Sequence, residues 1–243
     1  MSPISGRRVA LVTGASSGMG RAIAVALAGT EADAVAIHYH HDRRGAEETA
    51  ERVRSAGASV MTAAAELRNG KGVRRLMGRV EKSLGSVGIL VPNVGPFLQK
   101  PWDRLTASDW ERAMATNLVA AHACIKAVLP GMRKRGWGRI VTIGYGRVEQ
   151  QAAFPGILPY AAAKAGLLLL TRTAAAAEAG SGITVNMVSP GLLREGILPS
   201  RIDRRTVVLG SFADVAAAVR FLASEEAAGI TGANILVAGT WRM

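Results

Sequence analysis

The sequence predicts an α/β fold, a doubly wound and mostly parallel sheet of about seven strands with helices on both faces. Three observations carry that expectation. Short apolar runs alternate with helix-periodic segments along the whole chain. The first apolar run stops at a glycine-rich loop that opens a helix. The 243 residues hold neither a tandem repeat nor a low-complexity linker, so residues 1–243 read as a single domain.

Residues 9–13 form an apolar run that stops at Gly14, as a buried parallel strand does. Residues 18–28 follow as a helix, with Ile23 and Leu27 on one face. Residues 34–39 are the second strand, and residues 44–55 a charged helix closed by Gly57. Residues 59–64 give the third strand. Residues 72–84 form a helix with Leu76 and Val80 inward, and residues 88–91 the fourth strand. Residues 107–135 carry a long helical pattern that Pro130 is expected to interrupt. A strand at 138–143 and a long Ala/Leu helix at 158–179 come next, the helix ended by Gly180. A strand at 184–188, a helix at 214–223 and a last strand at 234–237 complete the pattern. Such sheets bind ligands beyond the carboxyl ends of their strands, where the strand order reverses.

Composition sets the outer limits. A hydrophobic share of 49% excludes a disordered chain. The one cysteine, Cys124, cannot form an internal disulfide, which excludes a disulfide-stapled secreted scaffold. No apolar run reaches the length of a membrane span, and the run after Arg7 and Arg8 is too short for a signal-peptide core. The expected compartment is the cytoplasm, with no membrane partner. Thirty Lys+Arg against 18 Asp+Glu give a net charge of +12, which raises the question of a polyanionic partner. Aromatic residues are only 5%, so base-stacking platforms are scarce. The basic residues are spread over several helices, as in Arg68, Lys71, Arg74, Arg75, Arg79 and Lys82 after the third strand. No nucleic-acid partner is expected. Only Arg43 and Arg44, with Arg201, Arg204 and Arg205, are placed to serve an anionic ligand.

The loop Thr13-Gly14-Ala15-Ser16-Ser17-Gly18-Met19-Gly20 joins the first strand to the first helix. Gly14 suits the tight turn, Gly18 the close approach of backbone to a pyrophosphate, and Gly20 the packing of helix on strand. The helix N-terminus offers unpaired N–H groups and the positive end of its dipole to phosphate. The loop therefore reads as a dinucleotide site that includes Ser16, Ser17 and Met19.

Its Gly-x3-Gly-x-Gly spacing resembles the short-chain dehydrogenase/reductase family, and the resemblance covers essentially the whole chain. Pro92-Asn93-Val94-Gly95 is similar to the family's Asn-Asn-Ala-Gly, with the first Asn and the Ala replaced. Asn117 matches its active-site Asn, Tyr160-Ala161-Ala162-Ala163-Lys164 its catalytic Tyr-x3-Lys, and Pro190-Gly191 its Pro-Gly after the sixth strand. The resemblance implies a Rossmann domain, with Asn93, Gly95, Lys164, Pro190 and Gly191 at a nicotinamide dinucleotide. Glu66, with Leu67 beside it, stands where relatives place an adenine-contacting Asp.

No carboxylate ends the second strand, which runs Ile37-His38-Tyr39-His40-His41 into Asp42-Arg43-Arg44. A guanidinium suits a 2′-phosphate, so NADP(H) is the expected cofactor, with Arg43 or Arg44 and His40 as contacts. Ser17 stands where NADPH-preferring relatives often carry a basic residue. His38 and His40 share a strand face, but no further spacing completes a metal site, and none is expected.

Tyr160 and Lys164 are one helical turn apart, so they share a face. A carbonyl that accepts a hydride needs a proton for the developing alkoxide. A tyrosine can supply it, with a nearby ammonium lowering its pKa. The resemblance adds that Lys164 binds the nicotinamide ribose and that Asn117 holds a water relay. The family's substrate-orienting Ser, however, is replaced by Tyr145. Three readings stay open. Tyr145 donates to the carbonyl from a longer arm, or it turns away as a pocket wall, or the reaction differs. Enoyl reductases of the superfamily carry a Tyr there but space their Tyr and Lys more widely, and pteridine reductases also lack the Ser.

The leading expectation is an NADPH-dependent reductase of a small apolar or aromatic carbonyl or imine compound, with Tyr160 as general acid. The alternatives are an enoyl-type C=C reductase and a catalytically weak cofactor-binding sensor or scaffold. Gly95-Pro96-Phe97-Leu98, Phe154, Ile197 and Leu198 are candidate pocket walls, and Arg147, Glu149 and Gln150 candidate polar contacts. The resemblance also implies a homodimer or homotetramer. Ala120, Ala121, Cys124, Leu167 and Leu168 suit either that interface or the internal core.

Overall fold

The computed structural model describes residues 6–196 and 207–240. Seven strands, β1 (Val9–Val12), β2 (Ala34–Tyr39), β3 (Ser59–Ala64), β4 (Val87–Val91), β5 (Gly138–Ile143), β6 (Ile183–Pro190) and β7 (Asn234–Val237), lie in the order β3-β2-β1-β4-β5-β6-β7. Every pairing is parallel. The chain winds from β1 out to β3, then crosses back and winds from β4 out to β7. The order reverses between β1 and β4, and a crevice opens beyond their carboxyl ends.

The helices are α1 (Gly18–Leu27), α2 (Arg43–Ser55), α3 (Gly70–Leu84), α4 (Ala107–Met114), α5 (Ala120–Arg135), α6 (Leu158–Ala177) and α7 (Phe212–Ala223). Alternate residues of the central strands feed two cores. Ala10 and Val12 meet Ile23, Val53 and Val219 from α1, α2 and α7. Val9 and Leu11 meet Leu76, Ile125 and Ala175 from α3, α5 and α6. Both faces of the sheet are thereby buried, which is why β1 and β4 read as unbroken apolar runs.

Helix starts fall where side-chain caps are available. Asp42 accepts from Gly45 N at 2.9 Å, so α2 begins at Arg43. Asn69 accepts from Gly72 N at 2.8 Å and starts α3 two residues earlier than the apolar pattern suggests. Pro130 does not interrupt its helix: α5 runs through it to Arg135. Burial of Val128 and Met132 on either side holds the turn against the lost backbone bond. The break lies earlier, in a π-helical turn at Ala115–Val119 that carries Asn117.

By length and composition the stretch Ala107–Arg135 is apolar enough to cross a membrane, with mean hydropathy 1.3. Its inward face packs on α3 and β4 of this fold. Ala120, Ala121, Cys124, Leu167 and Leu168 are all buried within the single chain, so they are core and not an exposed face. The large apolar residues these segments turn outward among the described residues are Val119, Leu158 and Leu169, 49%, 37% and 67% exposed.

Candidate active site

The glycine loop is held by groups at the ends of three neighbouring strands. Thr13 Oγ1 accepts from Asn93 N at 2.9 Å and from Val94 N at 3.1 Å. The Asn93 amide returns the bond, donating to Thr13 O at 3.0 Å and Gly14 O at 3.1 Å. Gly14 and Gly18 adopt positive φ of 63° and 54°. At Gly20 the need is space: a Cβ there would lie 2.2 Å from Gly14 O and 2.7 Å from Asn93 Nδ2. Arg21 pins the loop from outside, donating to Ser16 O at 2.6 Å and to Gly45 O at 3.2 Å. Ser17 caps α1 in extended conformation with its side chain unbonded to the helix.

His38 works inside the fold. Gly14 N donates to His38 Nδ1 at 3.2 Å, and Nε2 faces Ala65 O at 3.0 Å. An acceptor at Nδ1 and a donor at Nε2 define the neutral tautomer. Burial pushes its pKa down to about 4. Both nitrogens are thus spent on backbone, and His38 has none to offer a ligand.

A cavity of about 590 Å³ opens beyond β1, β2 and β4. Gly14, Ser16, His40, Glu66, Leu67 and Gly95 line it, as do Arg68, Arg112 and Thr116. Glu66 is bonded by Arg68 Nε at 2.9 Å and by Arg68 N at 2.9 Å, and His40 Nε2 lies 3.5 Å away. The Arg68 side chain, bonded to Glu66, is the main cause of a carboxyl pKa lowered to about 2. Arg43 is exposed at the start of α2, next to the lining residues His41 and Asp42. Arg44 is spent on Glu48 at 3.2 Å.

A second cavity of about 390 Å³ adjoins the first through Asn93 and Gly95. Met19, Pro190 and Gly191 line it on one side, and Tyr145, Tyr160 and Lys164 on the other. Lys164 is buried, donates from Nζ to Ile143 O at 2.7 Å, and has its pKa lowered by burial to about 8. Its Nζ lies 5.7 Å from the centre of the Tyr160 ring. Tyr160 makes edge contacts with Phe97, centroids 5.1 Å apart, and with Tyr145 at 5.6 Å. The Tyr160 phenol is raised above its ordinary pKa by burial first and then by Tyr145. The expected lowering by Lys164 is absent here, because desolvation outweighs an ammonium that bonds a carbonyl and not the phenol.

Asn117 stands beside these groups without lining either cavity. Its Nδ2 donates to Ala113 O at 3.2 Å, while Oδ1 is buried with no partner among the described residues. A Cβ on Gly95 would fall 2.2 Å from that oxygen. The π-helical turn rotates Asn117 out of the ordinary helical ladder and toward the crevice. Tyr145 occupies the end of β5, half-buried, with its ring 6.1 Å from Phe154. Ile197, Leu198, Arg201, Arg204 and Arg205 lie outside the described residues. Thr13, Arg21, His38 and Arg68 escape sequence reasoning, because their roles are contacts to backbone or to each other and carry no spacing signal.

A family profile described as short chain dehydrogenase matches residues 8–204. The 3-oxoacyl-(acyl-carrier-protein) reductase FabG of Staphylococcus epidermidis is 34% identical over 239 residues, 95% of this chain and 97% of that one. Its counterpart from Vibrio cholerae is 36% identical over 241 residues, covering 96% of each. Among solved structures, acetoin dehydrogenase YohF from Salmonella typhimurium matches with TM-score 0.81 at 28% identity, over 96% of this chain and 94% of that one. Sequence motifs, strand order and these matches agree: the chain belongs to the short-chain dehydrogenase/reductase family of oxidoreductases.

Proposed function

We propose that the chain is an NADPH-dependent reductase acting on a carbonyl or imine of a small, apolar or aromatic compound. The observation that carries this reading is the pair of phenols, Tyr145 and Tyr160, on the wall of the smaller cavity beside Lys164 and the orphaned Asn117 oxygen. Among the described residues neither hydroxyl has a hydrogen-bond partner, so both are free to meet a substrate oxygen or nitrogen. The glycine cradle and the unpartnered Oδ1 fit a dinucleotide and an ordered water.

A bound reduced nicotinamide supplies the hydride and its two electrons to the substrate carbon. Tyr160 gives its phenolic proton to the substrate heteroatom, so C=O becomes CH–OH or C=N becomes CH–NH. The Lys164 ammonium compensates the phenolate that this leaves. Asn117 Oδ1 accepts from the water that returns a proton. Tyr145 donates a second hydrogen bond to the same heteroatom, in place of the family's Ser. The Tyr-x3-Lys spacing supports C=O or C=N over C=C reduction. β2 itself ends without a carboxylate, the following Asp42 is spent on Gly45 N as the cap of α2, and His40, His41 and Arg43 stand beside it, which supports NADPH.

The whole chain acts as one unit in this proposal, in the cytoplasm and as a homodimer or homotetramer. Outward Val119 and Leu169 support association, which light scattering would check. The decisive test is turnover by Tyr160→Phe against a panel of ketones and cyclic imines, with NADPH and NADH binding followed by cofactor fluorescence. The expected outcome is a loss of about 10²–10⁴ in kcat with cofactor binding retained, and NADPH bound at least tenfold tighter than NADH. Full activity in the variant would overturn the mechanism, and equal affinities would overturn the cofactor assignment.

A further inference from the structure

The segment after β5 carries a cation that the proposed proton transfer does not use. Tyr145, Gly146 and Arg147 all line the smaller cavity. The charged side chains on its wall are Lys164 and Arg147, and no Asp or Glu among the described residues lines it. Glu195, two residues beyond the lining residue Leu193, is bonded by Phe212 N at 3.2 Å.

The segment is built to hold Arg147 still. Val148 N donates to Tyr145 O at 2.9 Å, and Gln150 N to Arg147 O at 3.0 Å, so consecutive turns fix the backbone. Val148 is buried in a small core with Leu167, Leu168 and Met187. The next residue, Glu149, is ion-paired with Arg172 of α6, which removes the carboxylate that would otherwise neutralise Arg147. The guanidinium of Arg147 lies over the face of Phe154, 4.7 Å from its centre, and its Nε donates to Gln150 Oε1 at 2.6 Å. These contacts set the plane of the fork and use one nitrogen. Both Nη groups are left without a partner among the described residues. Half-buried, Arg147 is less screened than a surface arginine.

We propose that Arg147 is a substrate-anchoring residue that binds a carboxylate, and that the substrate is a small oxo or imino acid on an apolar or aromatic body. The chemistry of the fork selects the ligand: a guanidinium with two free Nη groups on an apolar wall matches a carboxylate through paired N–H donors. Tyr145, edge to face with Tyr160, and Phe97 line the same cavity and offer aromatic surface to the body of such a molecule, while Phe154 backs Arg147 and Tyr145. Arg147 exchanges neither proton nor electron in this role. The inference rests on the reductase reading for the reaction, while binding tests it independently.

The test uses the protein loaded with NADP(H). In turnover, phenylglyoxylate is compared with its methyl ester on wild type, Arg147→Met and Arg147→Lys. The expected result is a tenfold or greater preference for the acid in wild type. Arg147→Met should lose about 10–100-fold in kcat/KM on the acid, mainly through KM, with the ester changed less than twofold. Arg147→Lys should recover part of the loss. In calorimetry, phenylacetate should bind measurably tighter than phenylacetamide, and Arg147→Met should erase the difference. Equal binding of the two, or equal loss on acid and ester, overturns the anchor. Binding selectivity with no reduction of any ketone or imine keeps the anchor and overturns the reductase reading instead.

Discussion

Replacing His38 with glutamine should flatten the acid limb of the stability curve. His38 is 2% exposed and serves two backbone groups at once, accepting from Gly14 N and facing Ala65 O. Protonation would put an N–H on Nδ1 opposite the N–H of Gly14, so the fold favours the neutral ring. The pKa is lowered from 6.5 to about 4 by burial first, with His40 adding to the lowering and the Ala65 bond and Glu66 opposing it. A group that binds protons less tightly in the native state makes stability fall as pH drops, here through the window from 6.5 to about 4. At about 1.4 kcal/mol per pH unit the full cost is about 3 kcal/mol, and about 2 kcal/mol of it falls between pH 7 and pH 5. A glutamine amide can accept from Gly14 N and donate to Ala65 O without titrating. His38→Gln should therefore match wild type to within about 1 kcal/mol at pH 7 and lose about 2 kcal/mol less than wild type on going to pH 5. Urea unfolding followed by circular dichroism at the two pH values reads this directly. An equal loss in both proteins would refute the assignment of the acid limb to His38.

Two further outcomes follow from burial and close approach. Lys164→Met should abolish reduction yet raise stability by about 1–3 kcal/mol at pH 7 in urea unfolding, because the buried ammonium is held below its unfolded pKa and its charge costs stability at neutral pH; a destabilised variant would show that the Ile143 bond outweighs desolvation. Gly20→Ala should cost about 1–3 kcal/mol and weaken dinucleotide binding in fluorescence titration, since the new Cβ meets the fixed carbonyl of Gly14; unchanged affinity would show that the loop can yield.

The central strands β1 and β4 were legible because parallel strands buried on both faces are continuous apolar runs, and each of the seven appears within a few residues of its expected limits. The placement of Tyr160 and Lys164 on one cavity wall was legible because they stand one turn apart on α6. Pro130 misled because intrinsic propensity says nothing of the packing around it, where Val128 and Met132 hold the turn. The interface candidates on α5 and α6 failed for a related reason: small and apolar residues look alike whether they face a partner or the sheet. The upward shift of the Tyr160 phenol was unreadable because it comes from burial first and then from Tyr145, both products of the folded surroundings.

The basic surplus, which suggests a polyanion when read as a total, has an internal explanation at several positions. Arg8 donates to Thr30 O at 2.9 Å, Arg21 to Ser16 O at 2.6 Å and Arg135 to Val87 O at 2.6 Å. Arg139, 2% exposed, donates to Gly138 O, Gly182 O and Ser224 O and reaches Glu225 at 3.3 Å. Arg8, Arg21 and Arg139 also pair with Glu31, Glu48 and Glu225, while Arg135 satisfies its carbonyl with no carboxylate partner among the described residues. Desolvation lowers the pKa of Arg135 and Arg139, yet both remain far too basic to lose the charge. Arginine here does the work of tying strand and helix ends together, through carbonyls as well as carboxylates. Arg147 differs from these in one respect that matters for function: its Nη groups have no carbonyl to satisfy among the described residues, and it faces a cavity instead of a strand end.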